Sequence, residues 1–406
     1  MGDFSQNGIV STLHDFKTKS TDEIEKELLE FSKERKMELI LPCLYSELEG
    51  EALPKIVNEI SKTKYLNHII IGLDKANETQ AKDAWKFFKK LKTDFTILWN
   101  DGPKLKKLDE ELKNKNLAPN QPGKGRNVWY CLGMSIARDT ARSVALHDCD
   151  IKTYDRRMLA KLFYPVVNPV FNFEFCKGYY PRIANEKMNG RVARLLVAPL
   201  LIALEKTIGN SSYLQFMKSF KYPLSGEFSF RRNVLPELRI SSDWGIEVGV
   251  LSEMQRNFSP NNICQVDLAD AYDHKHQDLS LNDETKGLSK MSIDIIKTFI
   301  KKLATQGNSF SRETFRSLKA TYYRSALDMI DIYRSDATMN GLKFDSHTEE
   351  EAVELFAINI MKAGDDFYVN PMDTPFIPTW SRVKSAIPDF LVKLKKAVSE
   401  DNKNNS

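Results

Sequence analysis

The sequence is poor in the features that would place it outside the ordinary soluble globular proteins. It has five cysteines in 406 residues (Cys43, Cys131, Cys149, Cys176 and Cys264), widely scattered and without a CxxC pair. That excludes a disulfide scaffold and a cysteine-rich zinc site, and it predicts reduced thiols in a cytoplasmic protein. No stretch approaches the roughly 18 uninterrupted apolar residues of a membrane span. Met1 to Asn7 has neither the basic nor the apolar region of a leader, so none is expected. The formal net charge is only +4, too small for this length to imply nucleic acid or a membrane surface as partner. The basic run from Lys104 to Lys107 is followed at once by Asp109-Glu110-Glu111, the pattern of a solvated helix. A Walker A loop is also missing.

What remains is 42% hydrophobic and 28% charged, ordinary for a globular chain of one large domain or two. Apolar runs alternate with amphipathic stretches. Met37–Pro42, His68–Leu73, Asp94–Trp99 and the run from Ser143 read as strands. Helices are predicted over about 20–35, 54–62, 78–92 and 127–141. This alternation predicts an α/β fold with a mostly parallel sheet covered on both faces. Phe173–Tyr180 and Gln265–Leu268 add two more strands. From about 285 to 335, 348 to 363 and 381 to 398, apolar residues recur every three or four, predicting a helical appendage. Residues 401–406 are expected to be a disordered tail.

The chain is organised around Ser143-Val-Ala-Leu-His-Asp148-Cys-Asp150. Positions i and i+2 of an extended segment share a side, so Asp148 and Asp150 can face one pocket beyond a strand's carboxyl end. Two hard oxygen ligands suit Mg2+ or Mn2+, and such an ion suits a diphosphate. Upstream, Pro122-Gly-Lys124-Gly-Arg precedes a helix; its glycines allow close backbone approach and Lys124 offers a point charge to phosphate. Downstream, Arg191 stands at a helix start, suited to a carboxylate or phosphate. Pro223-Leu-Ser-Gly-Glu227 and Asp243-Trp-Gly-Ile-Glu247 mix small, acidic and aromatic residues, as sugar-binding loops do. His274 and His276 follow a strand, and either suits a metal site begun by Asp150.

In this order, PGKG, D-x-D, NGRV, PLSGE, WGIE and QVDL with H-x-H resemble the glucosyl-3-phosphoglycerate synthases, retaining GT-A glycosyltransferases related to mannosylglycerate synthases. The likeness covers about 37–280. It implies a GT-A domain over 37–282, an N-terminal helical extension over 1–36 and a helical region over 283–400. It implies transfer of a hexose from a nucleotide-sugar to 3-phosphoglycerate, with Mg2+ or Mn2+ as cofactor and a homodimer as the assembly. By the same resemblance the metal is held by Asp150 and His274. The donor is met by Pro42, Cys43, Leu44, Glu47, Asp74, Lys124, Asp148, Cys149, Trp244, Gly245, Ile246 and Glu247. The acceptor is met by Gly190, Arg191, Val192, Ala193, Tyr272 and His276. Asp150, Lys124 and Glu247 carry the chemistry. Ala193 stands where some relatives have a hydroxyl residue, and Tyr272 where the family has a basic one, so free glycerate is an alternative acceptor. A non-catalytic nucleotide-sugar-binding relative is the second alternative. A nucleotidyltransferase needs its glycine-rich loop after the first strand, where Pro42-Cys-Leu-Tyr-Ser-Glu47 stands instead.

Overall fold

The computed structural model describes residues 6, 8–119, 121–274, 286–371 and 376–405. Its centre is an eight-stranded sheet, made of β1 (Ser11–Leu13), β2 (Met37–Leu44), β3 (Leu66–Asp74), β4 (Phe95–Trp99), β5 (Ser143–Leu146), β6 (Phe175–Tyr179), β7 (Phe228–Arg231) and β8 (Ile263–Asp267). The strand order is β1-β8-β6-β7-β5-β2-β3-β4. Every neighbouring pair is parallel except those made by β7, which runs antiparallel to both β5 and β6.

The central strands are nearly continuous runs of apolar residues because both faces are covered. Side chains alternate between the two sides. Ile40, Ile70, Leu98 and Val144 enter one buried cluster, and Leu39, Leu41, Ile69, Ile71, Ile97 and Ala145 enter the other. The helices form where caps and spacing call for them. Ser20 and Asn77 make capping boxes ahead of Thr21–Phe31 and Glu78–Phe88, and Pro103 opens Pro103–Lys113.

Two expectations at the chain's ends are corrected. The N-terminal extension is not only helical, since β1 pairs with β8 at the sheet's edge and Gln265 Nε2 donates to Thr12 Oγ1 at 2.9 Å. The expected disordered tail is helix through Asn405 as part of Phe390–Asn405, with Ser406 outside the described residues. The cause is Asn402. Its Nδ2 donates to Ile97 O at 2.7 Å and its Oδ1 accepts from Ile97 N at 3.0 Å and from Trp85 Nε1 at 3.2 Å. The amide thus closes the open edge of β4, which would otherwise expose unpaired backbone groups.

The C-terminal helical region packs on the rest of the chain through an aromatic clasp. Trp380 stacks on Trp129 at 4.0 Å between ring centroids, and its Nε1 donates to Trp129 O at 3.0 Å. Gly133 makes room, because a Cβ there would stand 2.1 Å from Trp380. Trp129 and Gly133 lie on Lys124–Arg138, the helix whose first residue is Lys124. The appendage therefore braces the helix that positions the site.

His68 of β3 gives the fold an acid sensitivity. It is buried and bonded to Thr96 Oγ1 at 2.8 Å, and burial lowers its pKa from 6.5 to about 3. The unfolded chain takes up a proton as pH falls through 6.5 and the folded chain does not, so stability drops from there down to about pH 3. A His68→Gln variant should therefore lose less Tm than the parent between pH 7 and pH 5, the difference corresponding to about 1–2 kcal/mol. Equal losses in melting curves at the two pH values would contradict this.

Candidate active site

Past the end of β5 the chain turns through His147 into the acidic pair. His147 is buried, its Nδ1 2.9 Å from Asp148 O and its Nε2 3.1 Å from the Tyr154 hydroxyl. This pins the backbone between the two aspartates. The segment carrying His274 is fastened alongside: Lys152 N donates to Asp273 O at 2.9 Å, Asp273 N to Thr153 Oγ1 at 3.2 Å and Tyr272 N to Pro181 O at 3.0 Å. As a result one ligand atom from each of Asp148, Asp150 and His274 lies within 4.8 Å of the others. Asp150 Oδ1 is buried and has no hydrogen-bond partner among the described residues. Two carboxylates, an imidazole and an unsatisfied buried oxygen suit a hard divalent cation.

Lys124 faces this cluster. Gly123 has φ +139°, which frees the chain to turn into the helix, and Gly125 must lack a side chain because a Cβ would stand 2.0 Å from Ser241 O. Lys124 Nζ lies 2.6 Å from Asp148 Oδ1 and 3.3 Å from Glu247 Oε1. Burial opposes its charge, but Asp148 and Glu247 outweigh burial and hold its pKa above the ordinary lysine range. Burial likewise works against the Asp148 charge, and Lys124 overcomes it, keeping that carboxyl below its usual range. Asp150 gets less of this help: burial and the Asp148 charge outweigh Lys124 and push its pKa up to about 7. Gly226 closes the cluster from the side; a Cβ there would stand 2.6 Å from Asp148 Oδ2 and 3.0 Å from Lys124 Nζ.

Behind this layer sits Glu227, fully buried. Tyr272 donates to its Oε1 at 2.7 Å and Tyr180 donates to its Oε2. The two tyrosine rings stack at 3.6 Å. Burial and the Asp148 charge raise the Glu227 pKa. Lys177 Nζ, also fully buried, donates to Ser225 O at 2.6 Å, and burial lowers its pKa to about 8. Lys177 and Glu227 thus fix the Leu224–Gly226 turn from below.

The other candidates divide by accessibility. Cys43, Cys149, Gly245 and Ile246 are buried, so they offer a ligand backbone rather than side chain. Pro42 and Glu47 are half-buried and Leu44 and Trp244 exposed. The Glu47 charge is among those that raise Asp150. Asp74 ends β3 with Asn127 Nδ2 3.3 Å from its Oδ2, and burial raises its pKa to about 6. Gly190 (φ +76°) precedes a π-helical turn, Val192–Val197, a widened turn common at functional sites. Val192 is buried and Ala193 half-buried there. Arg191 is paired: its Nε donates to Glu349 Oε1 at 2.8 Å. Tyr272 is a correction. It is fully buried against Tyr180 and Glu227, so it supports the site from behind instead of facing an acceptor. His276 lies outside the described residues. Sequence reading missed Lys177, Tyr180 and Glu349 altogether. Only Lys177 carried a local signal, a lysine inside an apolar strand.

A mostly parallel sheet, a lysine-bearing helix start and an Asp-x-Asp-His cluster beyond the central strand define a GT-A glycosyltransferase. Solved structures share the fold. The glucosyl-3-phosphoglycerate synthase of Mycobacterium tuberculosis, in complex with Mn2+, UDP and glucosyl-3-phosphoglycerate, matches with a TM-score of 0.52 at 21% identity over 72% of this chain and 87% of that one. The mannosyl-3-phosphoglycerate synthase of Rubrobacter xylanophilus matches with a TM-score of 0.54 at 17% identity over 74% and 83%. No protein-family model matches the chain. Among curated proteins, the glucosyl-3-phosphoglycerate synthase of Persephonella marina is 44% identical over 402 residues, 99% of each chain. That of Methanococcoides burtonii is 38% identical over 403 residues, 98% of each. The chain belongs to the glucosyl-3-phosphoglycerate synthase family.

Proposed function

We propose that this chain transfers glucose from UDP-glucose to the 2-hydroxyl of 3-phosphoglycerate with retention at the anomeric carbon. The observation that carries the reading is the facing of Lys124 and Glu247 onto Asp148, Asp150 and His274, in a chain nearly half identical to a synthase of that name. A divalent cation, Mg2+ or Mn2+, would be held by Asp150 and His274 with Asp148 beside it, and would neutralise charge on the diphosphate leaving group. Lys124, at a helix N-terminus, adds a fixed positive charge on the same side. Pro42, the backbone of Cys43 and Leu44, Glu47, Asp74 and Cys149 hold the nucleoside end. Trp244 to Glu247 hold the hexose, and Gly190 to Ala193 hold the acceptor.

Retention through a covalent intermediate needs a free carboxylate beside the sugar. Glu247 is the nearest, and its charge is engaged by Lys124. We therefore assign front-face transfer, in which the leaving phosphate takes the acceptor proton and Glu247 binds sugar hydroxyls. On this account Glu247→Gln keeps measurable transfer, reduced roughly tenfold to a hundredfold, the worth of one charge-assisted hydrogen bond. Intact-mass spectrometry of enzyme with donor should show no glycosyl adduct; an adduct on Glu247 sinks the assignment.

Purified protein with Mg2+, offered UDP-glucose, GDP-glucose and GDP-mannose against 3-phosphoglycerate and glycerate, tests the reading. Transfer only to glycerate moves the chain to the glycosylglycerate synthases, with Ala193 as the residue to pursue. Donor binding without transfer leaves a nucleotide-sugar-binding relative.

We divide the chain at about residues 36 and 283, on the resemblance that covers 37–280. A homodimer is favoured by the family resemblance and by the exposed Ile332 and Ile358 on Arg312–Met339 and Ser346–Val369. A cytoplasmic location is favoured by five buried free thiols. Among the described residues no helix is long and apolar enough to cross a membrane.

A further inference from the structure

Beside the acceptor loop lies a cavity of about 530 Å³ that the reaction described above does not account for. Gly190 and Ala193 form part of its wall, and neither aspartate of the metal cluster does. Its charged lining is mainly cationic: Arg182, Arg194, Lys218 and Lys221, with Asp336 as the acidic member and Asn189 also on the wall.

Arg182 is the unusual residue. It is largely withdrawn from water, yet its charge meets no carboxylate among the described residues. Its Nη1 donates to the Tyr222 hydroxyl at 3.2 Å, its guanidinium lies 5.9 Å from the centre of the Tyr272 ring, and its Nε is buried without a hydrogen-bond partner. Leaving a buried guanidinium without a counter-ion costs far more than leaving it paired. Two neighbours repeat the pattern. Asn189 Nδ2 and Arg194 Nη1 are also buried and unpartnered. Asn189 is tied to Arg182 by its backbone N–H, which donates to Arg182 O at 2.7 Å, and to Arg194, whose Nε donates to Asn189 O at 2.9 Å.

The charges nearby do not balance. Glu349 is a single carboxylate shared by two guanidinium groups, Arg191 Nε at 2.8 Å and Arg194 Nη2 at 2.9 Å. Lys218 is neutralised by Glu205 at 2.6 Å. Glu349 thus serves two guanidinium groups, and on the cavity wall Asp336 is the one carboxylate among Arg182, Arg194, Lys218 and Lys221. A phosphate monoester carries about 1.5 to 2 negative charges at neutral pH and three acceptor oxygens. It supplies the negative charge that this cationic wall lacks.

We infer that this cavity is an anion site that takes the phosphate of the acceptor through Arg182, with Asn189 and Arg194 completing the grip. The inference rests on the proposed acceptor and adds residues to it. Arg191, tied to Glu349 through its Nε, stays in the acceptor loop beside this cavity. Tyr180 and Tyr222 both line it, and Tyr180 is hydrogen-bonded to Glu227, next in sequence to the Gly226 that abuts Asp148.

The test is a kinetic split with a binding control. Arg182→Gln should raise KM for 3-phosphoglycerate roughly tenfold or more, the loss expected for a charge-assisted contact, and leave KM for UDP-glucose unchanged. Arg182→Lys should recover part of the loss and Asn189→Ala should show a smaller one. A KM for 3-phosphoglycerate unmoved in folded Arg182→Gln protein of parental Tm overturns the inference and leaves the proposed function standing. Inorganic phosphate titrated calorimetrically into donor-free protein separates the two. Saturable binding that Arg182→Gln abolishes supports the site even when no tested acceptor turns over. Identical titrations of the parent and both Arg182 variants and Asn189→Ala overturn it whatever the acceptor. Glycerate should gain nothing from Arg182; an equal KM rise for glycerate would assign Arg182 to the carboxylate and overturn the phosphate assignment.

Discussion

Asp150→Ala should lower transfer by at least about a thousandfold without lowering the melting temperature. The first half follows from the geometry. Asp150 brings the second carboxylate to within ligand distance of Asp148 and His274, and its Oδ1 has no hydrogen-bond partner of its own. Nothing else among the described residues can replace that oxygen. The second half follows from electrostatics. Burial and the Asp148 charge both disfavour the Asp150 carboxylate, which is why its pKa rises to about 7. Without a cation the ionised side chain strains the fold, and removing it relieves repulsion, a usual exchange of stability for function. Turnover measured with Mg2+ checks the first half, and melting curves in the presence of a chelator check the second. A variant that loses activity because it unfolds would contradict the account.

Lys124→Met should cost activity on a similar scale, roughly a thousandfold, and unlike Asp150→Ala it should also cost stability. Lys124 is the cation that holds Asp148 and Glu247 together at 2.6 and 3.3 Å, with Glu227 close behind. In the parent, burial opposes the Asp148 charge but Lys124 keeps its pKa below 3.8, so the pair contributes stability that is present above that value and lost as pH falls below it. In the variant the same carboxylate is left buried beside Asp150 without its partner, so its pKa rises and its ionisation costs stability instead. The difference in Tm between parent and variant should be small near pH 4 and widen toward pH 7. A constant difference across that range would mean that Lys124 acts by packing alone.

The meeting of Asp148, Asp150 and Lys124 was legible in the sequence because its signals are local. An apolar run ending in Asp-x-Asp and a glycine-flanked lysine at a helix start each fix geometry within a few residues. The fold's alternation of strands and helices was legible for the same reason. What escaped reading depends on distant pairing. Phe228–Arg231 is four residues long and becomes a strand only because β5 and β6 leave a gap that it fills in the antiparallel sense. Arg191 was legible as a cation at a helix start, but its pairing with Glu349, 158 residues later, was not. Tyr272 looked like an acceptor contact, but stacking on Tyr180 and a bond to Glu227 draw it into the core. The polar Asp401-Asn-Lys-Asn-Asn run has the composition of a loose end, yet one asparagine amide matches the bare backbone of β4 and extends the helix.

The most direct test of the central claim is the structure of the product itself. UDP-glucose labelled with carbon-13 in the sugar, 3-phosphoglycerate, Mg2+ and purified protein would be followed by NMR in one tube. The account predicts an α-anomeric signal, with a coupling that places glucose on the 2-oxygen of 3-phosphoglycerate, formed as UDP is released and missing with Asp150→Ala. A β-linked product, glucose released to water, or glucose carried only by unphosphorylated glycerate would contradict it.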